Sequence, residues 1–274
     1  MEMDGEEEDE KMLLHRLLNP LFFKLRSRIR WSRSGYRIVH PGVSISYTGE
    51  VRNRFNQLCT AYPTVQTWAR EMDEALFRRN VLVLDWLDQF GRRVGEIHRP
   101  GSWLDIGSKN FDYAYAFRAI QAAGGDAHAS LSGVELDGYR VYRDGYSRYD
   151  HAMYHAARTE STYMVDDVLE AKLLSARTVT LLFPFVFAEP LLLWGLSPGA
   201  YRPQDIYDRA LALTESGGEL RIANQGEREA AESYALLQRC CKCSDELEII
   251  EVGKLICQVE TYPADVYGFI VRKK

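Results

Sequence analysis

From Gly101 onward the chain alternates short apolar runs with segments of helical period, a texture few folds can accommodate. The strand-like runs are Ser102 to Ile106, Ser132 to Leu136, Thr162 to Val165, Thr178 to Phe183 and Glu219 to Asn224, followed by terminal strands near Lys254 to Gln258 and Val266 to Arg272. Between them, helical spacing predicts helices over about Phe111 to Ala123, Tyr139 to Ala157, Pro203 to Thr214 and Glu227 to Arg239. A crossover helix returns the chain to the same end of the sheet, so strands separated by helices pair in parallel and have both faces covered. The expectation is an α/β, doubly wound, mostly parallel seven-stranded sheet with an antiparallel last strand, preceded by N-terminal helices.

The division follows the change in texture: residues 1–100 form an acidic and basic segment with cap helices, and residues 101–274 form the α/β domain. The acidic run Glu6 to Glu10 gives way to Leu13, Leu14, Leu17, Leu18, Leu21, Phe22 and Phe23, and then to Arg26, Arg28, Arg30 and Arg33. A helix of this kind either lies on an anionic membrane surface, making a peripheral contact through residues 13–37, or docks on its own domain. Pro20 interrupts the helical period. Weak periodicity from Gly42 to Tyr62 predicts a loop, and the apolar spacing in Val65 to Arg79 and Val81 to Val94 predicts helices ending near Gly91 and Gly95, with Pro100 beyond.

A net charge of −5 gives no strong nucleic-acid signal. Five scattered cysteines fit a reducing, cytoplasmic setting better than a disulfide framework. The acidic start does not read as a secretory signal, and the longest apolar stretch, Leu181 to Leu196, contains Glu189 and two prolines and is shorter than the ~20 residues of a spanning helix.

Open parallel sheets bind ligands beyond the carboxyl ends of their strands, so the residues that follow each strand carry most information. After the first strand comes Asp105-Ile106-Gly107-Ser108-Lys109-Asn110-Phe111, where Gly107 lets the backbone turn and approach a ligand. Glu135-Leu136-Asp137 follows the second, with a carboxylate able to accept both hydroxyls of a ribose. The third is followed by Asp166-Asp167-Val168-Leu169, a carboxylate for an exocyclic amine beside apolar residues for an adenine face, and the fourth ends at Phe183-Pro184-Phe185.

In this order the motifs resemble those of the class I, Rossmann-like S-adenosylmethionine-dependent methyltransferases, over about Gly101 to Lys274. The resemblance implies S-adenosylmethionine as cofactor, held by Asp105, Gly107, Ser108 and Lys109, by Glu135 and Leu136, by Asp166, Asp167 and Val168, and by Phe183. It implies methyl transfer to a small-molecule or lipid-like acceptor. Lys109 and Phe111 stand where the family continues with glycines. Either Lys109 pairs with the cofactor's methionine carboxylate, or the turn is closed and the chain is a catalytically silent scaffold or binding module of the same fold. A nicotinamide enzyme is disfavoured by the absence of G-x-G-x-x-G. No catalytic residue stands out, with Glu189, Tyr201 and Asn224 the candidates for a base.

His151 and His155 share a helix face without an apparent third ligand, and Cys240, Cys241 and Cys243 lack zinc-site spacing, so no metal is expected. Tyr139, Tyr142, Tyr146 and Tyr149 form an aromatic stripe that either stacks bases or a sugar or, the favoured reading, is a helix face packed on the sheet. The long connection from Ala188 to Pro203 reads as a substrate lid or as a plug against the N-terminal helices.

Overall fold

The computed structural model describes residues 5–39, 41–95, 101–242 and 245–274, with only the backbone described for 5–11. Pro100 and Cys243, singled out in the sequence, lie outside the described residues. Among the described residues four helices precede the sheet: α1 (Gly5–Ile29), α2 (Gly49–Ala61), α3 (Val65–Glu71) and α4 (Glu74–Arg93). The α/β part runs β1 (Trp103–Ile106), α5 (Ala114–Ala123), β2 (Leu131–Glu135), α6 (Arg148–Arg158), β3 (Thr162–Val165), β4 (Ala176–Leu182), α7 (Ala188–Leu193), α8 (Pro203–Leu213), β5 (Thr214–Gln225), α9 (Gly226–Cys241), β6 (Leu247–Leu255) and β7 (Val266–Lys273).

The sheet has seven strands in the order β3-β2-β1-β4-β5-β7-β6. The first five pair in parallel, and β7 inserts antiparallel between β5 and β6. This is the doubly wound, Rossmann-like sheet expected from the alternation. The chain winds outward from β1 through β2 to β3, then returns to the other side of β1 as β4. Strand order therefore reverses between β1 and β4, where the carboxyl ends of the strands leave a crevice.

Two apolar layers cover the faces of the sheet. On one, Leu84, Leu87 and Phe90 of α4 and Phe117 and Ile120 of α5 share a core with Trp103 and Ile270; on the other, Tyr207, Leu211 and Leu237 of α8 and α9 pack on Leu104, Val179 and Ile222. Helices α2 to α4 thus contribute to the same core as the strands. Between α2 and α4 a buried ion network joins Arg54 to Asp85 (2.6 Å) and Asp88 (2.5 Å), with the Tyr62 hydroxyl donating to Asp88 at 2.9 Å. Burial raises the pKa of Asp85, whereas hydrogen bonds from Arg54, Arg92 and Tyr62 overcome burial at Asp88 and lower it.

Several elements depart from the sequence expectation. The segment predicted as a loop contains α2, whose Val51, Phe55 and Leu58 stripe is diluted by Arg52, Asn53, Arg54, Asn56 and Gln57. The break between α3 and α4 falls before Asp73, which caps α4 by accepting from the Leu76 amide at 2.9 Å. The helix predicted from Tyr139 starts only at Arg148, because Ser147 and Asp150 form a reciprocal capping box there. Residues 139–147 instead form a turn closed by a Val141–Ser147 bridge, so Tyr139, Tyr142 and Tyr146 are not a helix face. Strand β6 begins at Leu247, seven residues before the predicted start. Helix α1 continues through Pro20, beside which Asn19 is anchored to the body of the protein. Among the described residues no helix is long and apolar enough to cross a membrane.

Candidate functional site

The crevice at the reversal of strand order opens into a cavity of about 470 Å³. Its floor is the turn after β1. Gly107 adopts φ 77°, and a Cβ built on it meets no atom within 4 Å, so any side chain there would project into the cavity. Lys109 and Phe111 are also left-handed, with φ 49° and 53°. Besides backbone bonds from Gly107 and Ser108 to the Val134 carbonyl, side chains hold this strained turn: the Lys109 amide donates to Glu135 Oε2 at 2.9 Å, and the Tyr163 hydroxyl donates to the Lys109 carbonyl. Phe111 points inward and is fully buried over Gly133, where any Cβ would lie 3.0 Å from its ring. One of the two side chains that suggested a closed turn is therefore part of the core.

Glu135 ends β2 and lines the cavity, with its carboxylate partly engaged. Its Oε1 accepts from the Asp137 amide at 2.9 Å and from Arg148 at 3.3 Å, and its Oε2 from the Lys109 amide. A carboxylate has about four acceptor positions, so Glu135 retains one, on Oε2, and cannot take both hydroxyls of a ribose without giving up a present partner. Arg148 is 1% exposed and neutralises this buried acid.

Lys109 extends along the cavity with its Nζ 4.5 Å from the Trp194 ring centroid, and Arg148 lies 5.2 Å from the same ring. The cavity walls keep bulk water from the Lys109 ammonium although its surface is open to the cavity. This desolvation, with repulsion from Arg148 and Arg79, lowers its pKa.

Of the remaining residues chosen from the sequence, Leu136, Asp166, Asp167, Val168 and Phe183 all line the same cavity. Asp166 presents the more exposed carboxylate, whereas Asp167 Oδ1 accepts from the Leu169 amide at 3.0 Å and shapes the turn. Phe183, at φ 59°, stacks on Tyr262 at 5.7 Å. Asp105 and Ser108 lie beneath the turn and are fully buried. Asp105 accepts from Thr180 at 2.6 Å and Tyr113 at 2.9 Å, and burial pushes its pKa up to about 7.

The far wall is apolar, formed by Leu181, Phe185, Leu191, Leu193, Trp194, Leu196 and Ile206. Much of it comes from the connection holding α7, which is clamped by α1. Asn19 donates to the carbonyls of Leu192 (2.8 Å) and Leu196 (3.0 Å), and Arg26 pairs with Asp137 through two 3.0 Å bonds while also reaching the Gly195 carbonyl. The connection is thus both a cavity wall and the seat of the N-terminal helix.

None of Glu189, Tyr201 and Asn224 lines the cavity; Gln225 and Glu229 do. Burial raises the pKa of Glu229, which accepts from the Gln225 amide at 2.9 Å. Sequence reading missed Glu229 because it lies one turn into α9, and the i, i+4 geometry that turns it back over the strand end was the available signal. His151 packs against Tyr36 with the rings tilted by 40° (centroids 3.9 Å apart) and bonds Asp144 (3.0 Å), while buried His155 has its pKa lowered to about 3 by desolvation and lies 3.3 Å from the Tyr115 hydroxyl. Both histidines are held in an aromatic cluster away from the cavity.

No protein-family model matches the chain, and no curated protein matches it. Solved structures resemble it at low identity. The plantazolicin methyltransferase BpumL, in complex with a monoazolic desmethylPZN analog and SAH, is 10% identical with a TM-score of 0.46, over 82% of this chain and 100% of that one. A SAM dependent methyltransferase from Aquifex aeolicus is 9% identical with a TM-score of 0.46, over 69% and 90%. Magnesium protoporphyrin IX methyltransferase (ChlM) from Synechocystis PCC 6803 with bound SAM is 15% identical with a TM-score of 0.43, over 84% and 100%. The fold assignment rests on the strand order and pairing described above.

Proposed function

We propose that the protein binds S-adenosylmethionine in this cavity and transfers its methyl group to a small apolar or amphipathic, lipid-like acceptor. The observation that carries the reading is the convergence of Gly107, Glu135 and the Asp166-Asp167 pair, from the ends of three strands, on one cavity at the reversal of strand order. The fit is supported by the bare Gly107 floor, the unspent acceptor on Glu135 Oε2 and a volume within the ~300–1,000 Å³ typical of small-molecule sites.

In this reading Glu135 accepts one ribose hydroxyl, Lys109 faces the methionine carboxylate, and Asp166 takes the exocyclic amine, with Leu136, Val168 and Leu169 as the apolar bed. Asp105 and Ser108 support the turn from below. When bound, S-adenosylmethionine supplies a methyl group already activated on a sulfonium. The protein's part is then to align the acceptor and exclude water, for which Phe183, Tyr262, Leu193 and Trp194 provide the wall. Glu229 supplies a carboxylate able to take a proton from an acceptor nitrogen or oxygen.

The test is incubation of purified protein with methyl-labelled S-adenosylmethionine and separate aqueous and organic-extractable fractions of a cell lysate. Label entering the organic fraction with the wild type, and not with Gly107→Val, is the expected outcome. Label entering neither fraction contradicts transfer.

A further inference from the structure

Helix α1 is amphipathic in an unusual sense. The face carrying Asn19, Phe23 and Arg26 grips the α7 connection and Asp137, and the opposite face, apolar as far as Leu21 and basic at Lys24 and Arg28, points away from the protein. Leu13, Leu14, Leu17, Leu21, Phe22 and Leu25 are each between 49% and 67% exposed, and at ~100° per residue they occupy about half the circumference opposite Asn19. A row of large exposed apolar side chains on this scale marks an interaction surface.

Charge indicates what covers it. Between residues 11 and 49 the chain carries Lys11, Arg16, Lys24, Arg26, Arg28, Arg30, Arg33 and Arg37 and no Asp or Glu, in a protein of net charge −5. Lys24 and Arg28 are exposed on this same face toward its carboxyl-terminal end, where it passes from apolar to basic, and Trp31, half-exposed, follows the helix end. The acidic run ends at Glu10, about 21 Å of helix before Lys24, beyond the ~8–10 Å over which salt leaves charges felt. Along one flank of α1, an open groove of about 540 Å³ runs between Leu14, Leu18 and Phe22 and the α7 connection, with Arg140 beside it. Leu193 lines both this groove and the main cavity.

We infer that the outward face of α1 seats the protein on an anionic phospholipid surface, with the apolar side chains in the acyl boundary and Lys24, Arg28 and Arg30 at the headgroups. Because α1 is clamped to the cavity wall, the seated protein holds its groove and cavity close to the lipid. The inference is independent of methyl transfer, since seating is measured with neither cofactor nor acceptor present.

The experiment is co-sedimentation of the full chain with phosphatidylcholine vesicles and with vesicles containing phosphatidylserine, alongside sedimentation velocity without lipid and circular dichroism to confirm folding. The expected result is salt-sensitive binding to the anionic vesicles only. Leu17→Gln/Leu21→Gln should abolish it, and Lys24→Gln/Arg28→Gln should weaken the partition about thirtyfold, at ~1 kcal/mol per cation. Vesicle binding unchanged in both variants, or absent from the wild type, overturns the inference. So does a dimer that Leu17→Gln/Leu21→Gln dissociates without any vesicle binding, which would assign the face to a second copy.

Discussion

Asp105 offers a perturbation whose size follows from its surroundings. The carboxyl is fully buried between β1 and β4, and burial outweighs the hydrogen bonds from Thr180 and Tyr113, so its pKa rises from 3.8 to about 7. Between these values the unfolded chain has released the proton and the folded chain retains it. Stability therefore falls as pH rises from about 4 to about 7, and is level above. At about 1.4 kcal/mol per pH unit the interval amounts to roughly 4 kcal/mol. Asp105→Asn keeps the shape, accepts from Thr180, donates to Tyr113 and cannot ionise. Its stability relative to wild type should be close to zero at pH 4 and should reach roughly 4 kcal/mol by pH 8. For a chain of this size, that is a rise in Tm on the order of 10 °C. Thermal melts of both proteins across pH 4.5 to 8.5 read this directly, with groups common to both cancelling in the difference. A pH-independent difference, or a variant that loses stability as pH rises, refutes the reasoning.

Other positions give sharper readings of the cavity and the scaffold. Gly107→Ala should cost about 1–2 kcal/mol of stability, from a left-handed residue gaining a Cβ, and should weaken S-adenosylhomocysteine binding at least tenfold, both measurable by melts and calorimetry. Arg148→Met leaves Glu135 buried without its counter-charge and should destabilise the fold by about 3–5 kcal/mol in urea titration, a loss that Glu135→Gln in the same chain should partly restore. Arg54→Ala leaves Asp85 in the core without a counter-charge, while Asp88 keeps Arg92 and Tyr62, and should cost about 3 kcal/mol, a loss that shrinks as pH falls and Asp85 takes up its proton.

The alternation of strand and helix made the sheet legible, and strand ends could be placed because Gly107, Glu135 and Asp166 each follow an apolar run of strand length. What sequence could not give was the orientation of side chains around the turn. Lys109 and Phe111 look alike as departures from a glycine-rich motif, yet one extends into the cavity and the other fills the space left by Gly133. The start of α6 was readable in Ser147 to Asp150, but the longer tyrosine period overrode it. Helix α2 was hidden because its polar face includes Arg54, buried only through partners 31 and 34 residues away. The partial engagement of Glu135 by Lys109, Asp137 and Arg148 depends on tertiary contacts that no local pattern encodes.

The central claim is that the cavity holds an adenosyl cofactor through the acid at the end of β2. Calorimetric titration of the purified protein with S-adenosylmethionine and S-adenosylhomocysteine, repeated with Glu135→Ala, tests it most directly. The account predicts saturable one-to-one binding by the wild type that the variant loses while remaining folded; no heat of binding from wild-type protein with an intact fold, or equal binding by both, contradicts it.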